Sequence, residues 1–181
     1  VLNNRTPVVI SVLNTKIGLN YSTNINISLK DKNKNILSNK SLSVSLNNKA
    51  YTLKTNNKGI VSLKFKSTSL KSYPITVSFE GNSVYKDASI KSTIKTVKTT
   101  LTIQNSKLIT EGYLRILLNN NINDIANKKV IISVNGVNYT KFTNNEGSVI
   151  IKNNLSAGVY SVSVTYNDDC YGLITQTKKI S

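Results

Sequence analysis

Residues 39–63 read NKSLSVSLNNKAYTLKTNNKGIVSL, and residues 127–151 read NKKVIISVNGVNYTKFTNNEGSVII. The two stretches align without a gap at an offset of 88 residues, so the chain of 181 residues contains an internal repeat. The identical positions include Tyr51 and Tyr139, Thr55 and Thr143, Asn56 and Asn144, Asn57 and Asn145, and Gly59 and Gly147.

Apolar residues alternate with polar ones on both sides of this block, which predicts half-buried strands. The matched sets are Ile25, Ile27 and Leu29 with Leu114, Ile116 and Leu118, and Tyr73, Ile75, Val77 and Phe79 with Tyr160, Val162, Val164 and Tyr166. The predicted strands are 8–12, 16–19, 23–30, 41–46, 49–54, 60–66, 73–80 and 88–95, then 99–104, 107–109, 113–118, 129–134, 137–142, 148–152, 158–166 and 173–180.

Turn-forming residues separate these strands. Asn135-Gly136 lies between two alternating runs and predicts a type I′ hairpin, because both central residues of that turn need a positive φ. Asn47-Asn48 occupies the same place in the first repeat, where Asn is the next most tolerant residue. Short strands at regular spacing, without helical periodicity, predict an all-β protein with two tandem immunoglobulin-like antiparallel sandwiches.

The boundary between the repeats is expected near Thr96. Ile90 and Ile94 share one parity, whereas Val97 and Leu101 share the other. We therefore predict domains at 1–96 and 97–181. Because no Gly, Pro or Ser-rich insert separates them, the sequence favours a stiff junction.

The composition is strongly basic, with 24 Lys and Arg against 8 Asp and Glu and a formal charge of +16. Such a charge attracts polyanions at long range. The lysines are dispersed and the only arginines are Arg5 and Arg115, a pattern that favours an anionic cell wall or glycan over specific nucleic acid. An AT-rich genome that inflates both Lys and Asn explains the composition equally well.

Cysteine and hydropathy indicate how and where the chain is stabilised. Cys170 is the single cysteine, so no internal disulfide forms and packing must supply the stability. There is no apolar run of 18 residues, so no membrane span is expected in this stretch. For a secreted parent, the export signal and the anchor would lie outside it.

Three segments together resemble a known family: ANKKVIISVNGVNYTKFTNNEGSVII, LSAGVYSVSVTYNDDCY and DKNKNILSNKSLSVSL. They are similar to the tandem Ig-like repeats of adhesin-like surface proteins of methanogenic archaea and of the wider bacterial Ig-like family. The resemblance implies an extracellular, cell-surface location and a role in cell adhesion. It implies neighbouring Ig-like repeats and a cell-wall polymer, glycan or partner-cell surface protein as partners. The first repeat departs from the pattern at 70–74, where the A-G turn is missing.

Catalytic chemistry is not expected. The chain has no His, which excludes Ser-His and Cys-His nucleophiles and most zinc sites, and its carboxylates show no paired spacing. We therefore predict no catalytic residues and no cofactor. For a hard cation, the adjacent carboxylates Asp168 and Asp169 are a better candidate than Asp31, whose loop lacks the glycine and distal Glu of a calcium site.

Other candidates have ordinary structural explanations. Cys170 is expected to be a small apolar strand-end residue, with an intermolecular link as the alternative. Six tyrosines at repeat-equivalent positions are expected to pack in cores or corners: Tyr51, Tyr73, Tyr85, Tyr139, Tyr160 and Tyr171. A Lys-Asn isopeptide link would need a buried acid, for which Glu111 is the nearest candidate. Six glycosylation sequons occur, as chance predicts.

Three functions remain open at this stage. The leading one is a non-catalytic stalk or spacer module of an adhesin-like protein, with contact to an anionic cell wall or glycans as an additional role. A carbohydrate-binding module whose tip loops contact glycans is the second. A basic polyanion or nucleic-acid binder is the third, and a steep salt dependence of DNA retention would indicate it.

Overall fold

A computed structural model describes residues 4–104, 112–121, 125–152 and 158–181. The chain divides into two compact units, residues 1–96 and residues 97–181, which are taken separately below as unit one and unit two. Every regular element in the described residues is a β-strand. No helix in this part of the chain has the length and apolar character to cross a membrane.

Eight strands belong to unit one, the last of which ends one residue past its boundary: β1 (Val8–Val12), β2 (Lys16–Gly18), β3 (Ser22–Asp31), β4 (Ser41–Leu46), β5 (Lys49–Lys54), β6 (Ile60–Lys66), β7 (Ser72–Phe79) and β8 (Ala88–Val97). One sheet has the order β1-β3-β6, and the other has the order β2-β8-β7-β4-β5. The pairings β1–β3, β3–β6, β4–β5, β4–β7 and β7–β8 are antiparallel.

Seven strands of unit two lie in the described residues: β9 (Thr99–Ile103), β10 (Tyr113–Asn120), β11 (Lys129–Val134), β12 (Val137–Phe142), β13 (Ser148–Lys152), β14 (Tyr160–Asp168) and β15 (Gly172–Ile180). The sheets have the orders β13-β10-β9 and β12-β11-β14-β15, and all their pairings are antiparallel. Both units are therefore immunoglobulin-like β-sandwiches, as the sequence predicts.

The core of each sandwich lies between its two sheets because the inward side chains of every long strand are apolar. In β4 the residues Leu42, Val44 and Leu46 are buried and the intervening serines are exposed. Ile25, Ile27 and Leu29 of the opposite sheet join the same cluster. In unit two the cluster includes Leu114, Ile116 and Leu118 from one sheet and Val130, Ile132, Val162, Val164 and Tyr166 from the other.

The predicted strands and turns are largely confirmed. Strand ends differ from prediction by at most two residues, except that the predicted strand at 107–109 lies outside the described residues. Asn135 and Gly136 have φ values of 47° and 87°, and Asn47 and Asn48 have values of 51° and 61°. These are the left-handed conformations that a type I′ hairpin requires.

Both units build one corner from the same residues. In unit one the Thr55 hydroxyl donates to the Leu37 carbonyl at 2.7 Å and accepts from the Lys40 N–H at 2.9 Å. In unit two the Thr143 hydroxyl donates to the Ile125 carbonyl at 2.6 Å and accepts from the Lys128 N–H at 2.9 Å. Each hydroxyl therefore joins two segments by hydrogen bonds. One is the loop before β4 or β11, and the other is the residue that directly follows β5 or β12.

The turn after each threonine is also the same. Asn56 Oδ1 accepts from the N–H groups of Lys58 and Ile60, and Asn144 Oδ1 accepts from those of Glu146 and Ser148. The turns end at glycines in left-handed backbone, Gly59 at φ 68° and Gly147 at φ 69°. At Gly59 a Cβ would stand 2.9 Å from the Leu29 carbonyl oxygen, so the turn there needs glycine for space as well as for conformation.

Candidate functional site

The turn between β14 and β15 contains the predicted cation candidates, and a carboxylate organises it. Asp168 is the last residue of β14, and its Oδ1 accepts the N–H of Cys170 at 2.8 Å and the N–H of Tyr171 at 3.3 Å. This is the pattern by which an Asp side chain substitutes for a backbone turn. The other oxygen, Oδ2, accepts a hydrogen bond from the Lys128 ammonium at 2.7 Å.

The ion pair is partly sheltered from water and shifts the pKa of both groups. The Lys128 side chain is 38% exposed, and that of Asp168 is 16% exposed. The hydrogen bond to Asp168 raises the pKa of Lys128, against an opposing effect of burial. Burial would raise the pKa of Asp168, but the Lys128 ammonium and the two backbone N–H donors outweigh it and lower that pKa. Both groups are charged at neutral pH.

Two tyrosines complete this cluster. The Lys128 ammonium lies 5.9 Å from the centre of the Tyr171 ring, within the range of a cation–π contact. Tyr166 is fully buried, and burial together with the nearby Asp168 carboxylate raises the pKa of its phenol well above the usual value. Burial and the same carboxylate also raise the pKa of Tyr171. Neither phenol therefore ionises at physiological pH.

Unit one contains the counterpart of this cluster, with an amide in place of the carboxylate. Asn82 Oδ1 accepts the N–H groups of Val84 and Tyr85 at 2.8 Å each. The Lys40 ammonium lies 5.6 Å from the centre of the Tyr85 ring. In the described residues Lys40 forms no ion pair within 4.0 Å. The two turns therefore share their geometry, but the capping side chain is a carboxylate in unit two and an amide in unit one.

A polar groove lies beside the turn in unit one. It has a volume of about 420 Å³ and is lined by Asn39, Lys40, Ser41, Ser43, Thr52, Phe79, Glu80, Gly81 and Asn82. Hydroxyls, amides, one carboxylate and one ammonium dominate this lining, which is the set of groups that hydrogen-bonds sugar hydroxyls. The repeat alignment does not predict this groove, because the residues that line it come from segments far apart in sequence.

The cation candidates are placed as follows. Asp168 uses both carboxylate oxygens within the protein, and Asp169 is the next residue of the turn. Asp31 is buried and accepts from the N–H of Asn33, the N–H of Asn35 and the Asn35 amide, at 2.8 to 2.9 Å. No cluster of three or more His, Cys, Asp or Glu is found among the described residues. Cation binding at Asp168 and Asp169 stays a prediction, and Glu111 lies outside the described residues.

The remaining sequence candidates divide into buried and exposed positions. Cys170 lies within the β14–β15 turn and is partly exposed, and its linking role stays a prediction. The packing role predicted for six tyrosines is confirmed for Tyr73, which is buried, and for Tyr51, Tyr85, Tyr160 and Tyr171, which pack against the cores. It is wrong for Tyr139, which is 40% exposed and is not among the residues that pack against the core of unit two.

Sequence reasoning missed Lys128 as the partner of Asp168. The two residues are 40 positions apart, and the sequence of β14 does not indicate that the loop containing Lys128 lies beside its end. A signal did exist in the repeat. Lys40 and Lys128 match at the offset of 88, and each unit has a tyrosine, Tyr85 or Tyr171, in the turn before its last strand that accepts the cation–π contact.

No family model and no curated protein matches this sequence. Among solved structures, the chain is similar to a Ca²⁺-stabilised ice-binding adhesin of an Antarctic bacterium, with 13% identity, a TM-score of 0.40 and coverage of 98% of this chain and 48% of the other. It is similar to the D0-D1 domains of intimin, with 12% identity, a TM-score of 0.41 and coverage of 95% and 97%.

It is also similar to invasin, described as a bacterial integrin-binding protein, with 16% identity, a TM-score of 0.37 and coverage of 96% and 38%. This chain therefore spans about half or less of the adhesin and invasin structures. At these values of identity and TM-score, the similarities carry no inference about ligands or partners.

Proposed function

We propose that this chain is a non-catalytic pair of Ig-like repeats from an adhesin-like cell-surface protein, of the kind found in methanogenic archaea, and that it serves as a stalk or spacer. In this proposal residues 1–96 and 97–181 are domains that fold separately. The partners are the neighbouring repeats and a cell-wall polymer, glycan or partner-cell surface protein, which contacts the lysine-rich surface outside the cell.

The shared corner is the observation that carries this proposal. Thr55 and Thr143 make the same two hydrogen bonds, and Asn56 and Asn144 cap the same turn. The most strongly matched residues of the repeat therefore hold loops together. A chain in which successive modules contain the same stabilising hydrogen bonds can be lengthened by adding modules, and each module resists unfolding by itself.

Single-molecule force measurements on the chain held between marker domains test the spacer role. Each repeat should unfold in its own event, and each event should lengthen the chain by roughly 300 Å, since an unfolded chain extends about 3.5 Å per residue. Both repeats should refold when the force is released. A single event for the whole chain, or loss of structure without measurable force, would contradict the proposal.

The polar groove of unit one favours carbohydrate binding as a second function. Thr52 lines this groove, and Thr140 holds the matching position on β12 in unit two. If the groove binds glycans, Thr52→Ala should weaken binding on a glycan array whereas Thr140→Ala should not. Equal binding by both variants would place the glycan elsewhere, and absence of binding by the unaltered chain would leave the spacer role alone.

A further inference from the structure

The fifth strand of one unit and its counterpart in the other differ in chemical character. β5 reads KAYTLK and β12 reads VNYTKF, so the lysines at the two ends of β5 become Val137 and Phe142. Lysines on an edge strand discourage pairing with another chain, because a second strand would have to desolvate the charge. β12 has lost that protection at both ends.

Burial differs in the same direction. In β5 the inward-facing Tyr51 and Leu53 pack against the core of unit one. All six residues of β12 are exposed, including Val137 at 58%, Tyr139 at 40% and Phe142 at 65%. The neighbouring Ile131 on β11 is 40% exposed and faces the same side as Phe142. The strand thus carries apolar surface on both of its faces.

The backbone of β12 also has an open side. The strand ends its sheet, and within the described residues it pairs only with β11. The two-residue hairpin makes Val134 and Val137 a hydrogen-bonded pair, after which bonded and non-bonded pairs alternate. The N–H and C=O groups of Asn138, Thr140 and Phe142 therefore point away from β11, spaced as an added strand would need them.

The positive charge around β12 favours an acidic partner. Lys141 lies on β12 and the exposed Lys129 lies opposite Phe142 on β11. The chain as a whole carries +16, so two copies repel each other. An extended segment with carboxylate side chains is attracted by the same field. If its side chains alternate, the apolar ones on one face can cover Val137 and Tyr139, and the carboxylates on the other face lie on the side of Lys129.

We propose that β12 is a docking edge for an extended, acidic segment of a partner protein, which adds to the sheet as a further strand. Main-chain hydrogen bonds supply the affinity and the alternating side chains supply the selectivity. A strand of six residues buries less than the roughly 1,200 Å² of a standard interface, so a single contact is weak. Tandem copies on a surface protein would strengthen it through avidity. This docking role does not depend on the spacer role.

The probe for this site is a seven-residue peptide of alternating Glu and Val, blocked at both ends. Titration into the ¹⁵N-labelled chain should give a dissociation constant of roughly 10 µM to 1 mM, the range of weak peptide contacts. The largest amide shifts should fall on Asn138, Thr140 and Phe142. N-methylation of alternate peptide residues removes the donors and should weaken binding at least tenfold, as should replacement of each Glu by Lys.

Matched variants of the protein separate strand addition from loose charge attraction. Thr140→Pro removes an outward N–H without removing a β11–β12 hydrogen bond, and it should abolish binding. Thr52→Pro, at the matching position of β5, should leave binding unchanged. The pair Val137→Lys and Phe142→Lys restores the pattern of β5 and should weaken binding at least tenfold while the fold, checked by the amide spectrum, persists.

Three outcomes would overturn this assignment. Binding of the N-methylated peptide with equal strength would show that the backbone edge is not used. Shifts spread over the lysines of both units would show charge attraction alone. Dimerisation of the chain by itself, blocked by Thr140→Pro, would make a second copy the occupant. None of these results would alter the two unfolding events expected of a spacer, so the two proposals can fail separately.

Discussion

Unit one closes the turn between β7 and β8 with the amide of Asn82, whereas unit two closes the turn between β14 and β15 with the carboxylate of Asp168. Both side chains accept two backbone N–H groups, and in both units a lysine lies over the tyrosine that follows. The carboxylate adds an ion pair with Lys128 that the amide cannot make. One turn geometry thus tolerates two different electrostatic environments.

In unit one the equivalent lysine, Lys40, has no carboxylate within 4.0 Å among the described residues, and it lines a polar groove. In unit two the equivalent lysine is neutralised by Asp168. The two tips are therefore expected to differ in what they attract, although they are built alike.

The largest effects are expected at the shared corner. Thr55→Val and Thr143→Val each remove a buried donor and leave a carbonyl and an N–H without their partner, at a cost of about 1–3 kcal/mol per repeat. Thr52→Val and Thr140→Val, on exposed strand positions, should stay within about 0.5 kcal/mol. Denaturant unfolding followed separately in each repeat would measure both. Clearly different losses of unfolding free energy for Thr55→Val and Thr143→Val would show that the two corners are not equivalent.

Substitutions at the two turns should have the next largest effects. Asp168→Ala removes both the cap and the ion pair and should destabilise unit two by about 1–2 kcal/mol. Asp168→Asn keeps the cap, as Asn82 does in unit one, and should cost less than about 1 kcal/mol because Lys128 is partly exposed. Thermal unfolding of the two variants beside Asn82→Ala gives the comparison. Equal losses for Asp168→Ala and Asp168→Asn would show that the cap contributes nothing.

The pH dependence of unit two should reveal the same ion pair. The folded-state pKa of Asp168 is lowered, so its contribution is present above the unfolded value and is lost as the pH falls through the folded value. The folded-state pKa of Lys128 is raised, so its contribution is present below the unfolded value and is lost as the pH rises through the folded one.

Unfolding free energies of unit two should therefore hold steady between roughly pH 5 and pH 9 and decline on both sides, given ordinary Asp and Lys values of about 3.9 and 10.4. Asp168→Asn should flatten both declines, while leaving the profile of unit one unchanged. A profile of unit two that is the same with and without the substitution would indicate that the pair contributes no net stability.

The smallest effect is expected at the hairpin turns. Asn48 and Gly136 occupy matching positions, at φ 61° and φ 87°. Since Asn tolerates left-handed backbone, Gly136→Asn and Asn48→Gly should each change stability by less than about 0.5 kcal/mol. Gly136→Ala should cost about 1 kcal/mol through conformation alone, because nothing lies within 4 Å of a Cβ there. A much larger loss would mean that the turn is packed more tightly than its counterpart.

Much of the fold was predictable because its determinants are local. The alternation of Leu42, Val44 and Leu46 fixes which face of β4 is buried. The Asn-Gly pair fixes the hairpin, since few residues adopt its backbone. The site was only half predictable. The sequence identified Asp168 as a cation candidate and Cys170 as a strand-end residue, but it did not identify Lys128, which reaches Asp168 only after the strands have paired.

The amino-acid sequence by itself determined the repeat, the strands and the turns, because pleat periodicity and left-handed backbone are properties of a few consecutive residues. The tertiary structure decided which residues at matching positions of the two repeats have the same burial. Tyr51 and Tyr139 match in sequence, yet the first packs against a core and the second is exposed. Burial depends on what distant segments cover, and no local pattern contains that information.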